Sequence, residues 1–173
     1  MLLKKVSLLI ICLCVTLTSC YEESDLTTIL SSSELTGTEN SAFTITGRYF
    51  TTSCPNFFSP DPYGGDSFIY EITKNSDGSY EKNEVVKGDI MGMPCTMTGL
   101  TSHGTLLYAS CTYFTALTVP GFPEPVVAPV MAKLYRIDTL KSDGDPDKVK
   151  SVILPDHAII LANGMAVDFR GNI

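Results

Sequence analysis

One short segment occurs twice and starts a third time, which confines the chain to a repeated architecture. Residues 47–54 read Gly-Arg-Tyr-Phe-Thr-Thr-Ser-Cys, and residues 104–111 read Gly-Thr-Leu-Leu-Tyr-Ala-Ser-Cys. Gly, Ser and Cys coincide, and the positions after Gly are mostly apolar or β-prone. Gly171-Asn172-Ile173 opens a third copy. Two further pairs follow in the same order. Phe68–Thr73 resembles Leu134–Asp138, and Glu84–Lys87 resembles Lys150–Leu154. Three ordered matches describe one four-strand unit, repeated.

Taken along the chain, the unit is a series of short strands separated by turn residues. The pattern predicts strands over 41–46, 48–54, 67–73 and 80–87, with Asn75-Ser-Asp-Gly78 as a hairpin turn. The second unit is expected over 96–101, 105–112, 132–138 and 148–154, and 162–169 opens a third. Two long segments read as loops: Pro55–Asp66, and Tyr113–Met131 with its Val-Pro-Gly-Phe-Pro-Glu-Pro run. No stretch has helical periodicity with caps. Four antiparallel strands repeated radially are the blade of a β-propeller. The expected fold is therefore all-β: a partial propeller of two four-stranded antiparallel blades and the start of a third. A sandwich of short strands is the alternative.

Residues 1–19 have the form of an address. Lys4 and Lys5 make a basic start, Val6–Val15 is apolar apart from Ser7, and Leu17-Thr-Ser-Cys20 closes it. The apolar run falls short of the roughly 20 residues that span a bilayer. The ending resembles the bacterial lipobox. That likeness implies cleavage before Cys20, lipidation of Cys20 and a membrane anchor. Tyr21 in place of an aspartate favours the outer membrane or cell surface. Residues 20–38 then form a polar tether, and 39–173 the propeller part.

Cleavage removes two lysines and no acid, so the formal charge goes from −7 to −9. There is no basic cluster, and a chain this acidic does not seek nucleic acid, whose affinity comes from Lys and Arg. Cleavage also leaves Cys54, Cys95 and Cys111 in a compartment that permits disulfides. Cys95 and Cys111 are symmetric about His103. A three-residue loop, Ser102–Gly104, would set them directly opposite; a two-residue loop would oppose Cys95 and Thr112. The expected bridge is Cys95–Cys111, with Cys54 outside it.

The repeat also marks candidate site residues. Eight positions before the three repeat glycines stand Glu39, Thr96 and Asn163. In a propeller each begins the innermost strand of its blade and aims at a common axis. Oxygen donors converging there suit a hard cation such as calcium. Glu39 and Asn163 are the metal-ligand candidates, and Thr96 is a weaker, channel-facing position. Each has a plainer reading: Asn163-Gly164 as a turn, Glu39 as a solvated residue beside the tether.

Ala162–Ile173, with Asn163-Gly164-Met165, Asp168 and Gly171, resembles the Asn-Gly-apolar segment of the gluconolactonase and regucalcin family, shared more loosely by paraoxonases. Gly37-Thr38-Glu39 stands where that family places its first-blade Glu. The resemblance covers roughly residues 37–173 and implies a six-bladed propeller with a calcium-type metal in the channel. It further implies a lactone or ester substrate, polarised by the metal while a carboxylate activates water. A non-enzymatic propeller lipoprotein that binds a ligand or partner is the alternative. Two blades and part of a third are fewer than six. The chain is accordingly expected to be an N-terminal fragment or the product of a truncated reading frame, with the base that completes the chemistry outside it, and residues 1–173 alone are not expected to make a stable monomer.

Overall fold

The structure is a computed structural model that describes residues 30, 35, 37, 38, 40–54, 66–155, 164–168 and 170–173. Among the described residues every helical or strand element is a β-strand, and all pairings are antiparallel. The first sheet is a meander of β1 (Ser41–Phe43), β2 (Tyr49–Ser53), β3 (Phe68–Lys74) and β4 (Tyr80–Lys87). The second is a longer meander of β7 (Thr96–His103), β8 (Leu106–Leu117), β9 (Val126–Asp138) and β10 (Val149–Ile153). Between them β5 (Asp89–Ile90) and β6 (Met93–Pro94) form a small ribbon that the sequence pattern did not mark.

Glycine placement explains the turns. Thr44–Arg48, Asn75–Ser79 and Asp168–Asn172 close in the same way: the first residue's N–H donates to the fifth's carbonyl, and the fourth's N–H to the first's carbonyl. That is a three-residue hairpin loop whose last member is left-handed. The member is Gly47, Gly78 or Gly171, with φ of 79°, 89° and 85°. A Cβ there would crowd the following carbonyl.

The two meanders share one core. On the first sheet Ala42 lies opposite Phe50, and Ile69 opposite Val86. These four join Met97, Leu100, Leu107, Ala109, Tyr135 and Ile137 of the second sheet in a single buried cluster. Phe50, Ile69, Met97, Leu107 and Ile137 have no exposed surface. Enclosing each contributes about 2 kcal/mol of transfer free energy.

Four expectations need correction. The segment over 113–131 is not a loop: β8 runs on to Leu117 and β9 begins at Val126, leaving only 118–125 as the turn. Its prolines suggested a break, but Pro129 sits in β9 at an outer edge with no strand beyond it among the described residues, where the missing N–H costs no ladder bond. The first strand stops at Phe43, because the turn begins at Thr44. Met165–Asp168, in the expected strand 162–169, is not a strand; Ala162, Asn163 and Phe169 lie outside the described residues.

The fourth concerns register. The β7–β8 turn is Gly104-Thr105, with His103 opposite Leu106, and the register shifts between Met97 and Gly99. Cys111 therefore faces Met97, not Cys95 or its neighbours in either expected register. Cys95 precedes β7 on the same side as Met97 and reaches Cys111 diagonally. A disulfide joins the two across a Cα–Cα distance of 5.6 Å. Cys54 is buried and outside the bridge.

Candidate functional site

The three repeat turns lie side by side. Ile45 N donates to Gly104 O at 2.9 Å, and Ser102 Oγ donates to Phe43 O at 2.5 Å. Gly171 lies beside the His103 ring. At the other end of the inner strands the segments meet again. Asn40 Nδ2 donates to Thr98 O at 2.9 Å, and Gly164 N donates to the same oxygen at 3.3 Å. Asn40 and Gly164 directly follow Glu39 and Asn163 in sequence. The structure thus brings the flanks of two predicted ligand positions to one carbonyl of the strand that starts at Thr96. Glu39, Asn163 and the proposed lipidation residue Cys20 lie outside the described residues.

Thr96 is buried, opposite Thr112 across the β7–β8 pair. Further hydroxyls are enclosed on the strands of both sheets: Thr51 and Thr52 on β2, Thr98 on β7, and Ser110 and Thr112 on β8. Thr98 Oγ1 lies 3.4 Å from both Ser110 Oγ and Thr112 Oγ1. Asn40 is fixed at both backbone groups: its N–H donates to Thr52 Oγ1, and its carbonyl accepts from Thr52 N and Thr51 Oγ1. Every side-chain polar atom buried here has a partner.

Calcium takes about six to eight oxygens, usually with carboxylates among them. The described part of this region supplies hydroxyl, amide and carbonyl oxygens, donors of the right hardness. Among the described residues no group of three or more His, Cys, Asp or Glu gathers.

The sequence reading missed a second polar junction. Arg48 follows the repeat glycine, and its Nε and Nη2 both donate to the Glu71 carboxylate at 2.6 Å. Its Nη1 donates to Thr139 O in the second unit. Hydrogen bonding to Glu71 raises the Arg48 pKa further, so the guanidinium stays charged. The guanidinium also lies 5.3 Å from the Phe50 ring centroid. The one available signal was position: the residue after Gly104 is Thr105, whose carbonyl also serves Thr139. Beside this junction is a cleft of about 570 Å³ whose lining includes Phe43, Tyr49, Ile72, Lys74 and Tyr80.

Asp168 holds the third turn. Its carboxylate accepts from Asn172 Nδ2 and from the N–H groups of Arg170 and Asn172. The Asn172 amide, then the backbone donors, hold its pKa below the ordinary carboxylate value. It is therefore occupied as a turn-forming residue. Comparison of the chain with protein families, curated proteins and solved structures gives no match.

Proposed function

We propose that the mature chain is a lipid-anchored envelope protein, held by Cys20, whose two four-stranded sheets are successive blades of a propeller of the gluconolactonase–regucalcin kind. In this reading Glu39 and Asn163 hold a calcium-type cation where the inner strands begin, and the substrate is a lactone or ester. One observation carries it: Asn40 and Gly164, the residues after those two ligands, share the Thr98 carbonyl. The row of repeat turns from Ile45 through Gly104 to Gly171 supports the radial arrangement. A bound cation would polarise the substrate carbonyl. The chain's own part is to hold the oxygen donors in place through Asn40 and Thr98.

A non-enzymatic binding propeller is the second reading. The burial of Thr96, opposite Thr112, favours it, since an enclosed hydroxyl offers little to a ligand. The test is calcium titration of the protein expressed from its own reading frame, followed by calorimetry, with a lactone panel assayed in parallel. Calcium binding lost in both Glu39→Gln and Asn163→Ala, with lactone hydrolysis lost alongside, supports the enzyme. Binding without hydrolysis supports the second reading. Calcium binding that both variants retain excludes the site.

A further inference from the structure

The β8–β9 hairpin extends past the sheet that carries it. β7 pairs with β8 only as far as Thr112, and β10 with β9 only as far as Lys133. Beyond those points, among the described residues, Tyr113–Leu117 and Val126–Met131 pair only with each other. A two-stranded ribbon alone is marginal in water, so its apolar residues need a cover. Across residues 112–132 the only charged side chain is Glu124, in a chain that is 18% charged. Leu117, Phe122, Val126 and Val127 are 43%, 63%, 38% and 54% exposed.

Three features decide what covers them. Val126 and Val127 are successive strand residues and so point to opposite faces of the ribbon. A protein groove covers one face, whereas a bilayer surrounds a tip on both. Next, the turn carries Pro120, Pro123 and Pro125, none of which has an N–H to strip of water. A further N–H, that of Phe122, donates to Val119 O at 3.1 Å. Unpaired backbone donors are what normally keep loops out of lipid, and four of the eight turn positions present none: the three prolines and Phe122. Third, no cation stands on the tip, so attraction to anionic headgroups is not its means of binding. Among the described residues no helix is long and apolar enough to cross a membrane.

We propose that this tip is a second membrane contact: Phe122, with Leu117, Val126 and Val127, enters the apolar boundary of the bilayer that holds the Cys20 lipid. The inference rests on the lipid-anchor reading for its bilayer. Lipid and tip together would fix how the domain stands on the surface, where a flexible tether alone would leave it free to turn.

The chain has no tryptophan, so Phe122→Trp installs a sole indole at the tip. The probe is the full mature chain carrying Phe122→Trp and Cys20→Ala, mixed with phosphatidylcholine vesicles. The expected result is a blue-shifted emission, quenched by lipids brominated on the acyl chain and unchanged by added salt. Adding Val127→Asp, at an exposed position, should weaken partition by roughly tenfold or more. Emission that stays at the exposed-indole wavelength with vesicles overturns the proposal. So does a concentration-dependent blue shift without vesicles, which would mean that a second copy covers the tip. Lipidation is read separately, by mass spectrometry of the chain with Cys20 intact. Its absence sinks the anchor and leaves the vesicle result standing.

Discussion

Asn40 and Gly164 reach the same atom, the Thr98 carbonyl oxygen, from opposite ends of the described chain. A carbonyl has two lone pairs, and here both are used, one by each flanking repeat unit. Thr98 lies at the register shift of β7, where the extra residue turns its carbonyl out of the β7–β8 ladder. The irregularity is thus what lets a strand of the second unit bond to both neighbours.

Removing that bond should loosen the first unit from the second. Asn40→Ala leaves the other Asn40 bonds, which are backbone, in place and takes away only Nδ2. We expect a loss of about 1–2 kcal/mol in urea denaturation. Asn40→Asp should cost more, since a carboxylate would then face the Thr98 carbonyl. Equal stability of all three proteins would show that the contact carries no net free energy.

Gly99 should not tolerate a side chain. A Cβ there would lie 2.6 Å from Ser110 Oγ and 2.8 Å from Met165 Cγ. Gly99→Ala should cost about 1–3 kcal/mol by overpacking. Met165→Ala in the same protein should recover part of that, read as a non-zero coupling in a double-mutant cycle. Simple additivity would place Met165 away from Gly99.

The disulfide spans a sequence separation of 16. Replacing Cys95 and Cys111 together by Ala should destabilise by about 3 kcal/mol, chiefly by freeing the unfolded chain. Dithiothreitol should lower the melting temperature of the parent protein and leave that of the double variant unchanged. Parallel responses in the two proteins would exclude the bridge.

Acid should open the third turn. The folded pKa of Asp168 is depressed, first by the Asn172 amide and then by backbone N–H groups. Its contribution is therefore complete above the unfolded pKa and is lost as pH falls through the folded one. A carboxyl titration by NMR should place its midpoint below that of an unstructured Asp. The Gly171 amide signal should follow the same transition. A midpoint at or above the ordinary value, or a Gly171 signal indifferent to it, would reject the account.

The amino-acid sequence determined the parts that depend on neighbours along the chain. Period-two patterns placed β3, β4 and the inner parts of β8 and β9. The glycines at 47, 78 and 171 fixed three hairpin turns, because few residues but glycine accept their left-handed backbone. The repeat, read as spacing alone, matches two four-stranded meanders in the same order. What the sequence could not supply depends on residues far apart. The Gly104-Thr105 turn and the shift at Thr98 set a register that no local pattern encodes. The β8–β9 extension looked like a proline-rich loop, and Pro129 is harmless there because, among the described residues, no strand neighbours it on its outer side. The Asn40–Thr98–Gly164 junction and the Arg48–Glu71–Thr139 bridge each join separate units through a backbone carbonyl. Every residue has such a carbonyl, so its availability is decided by tertiary placement and leaves no mark in the residue type.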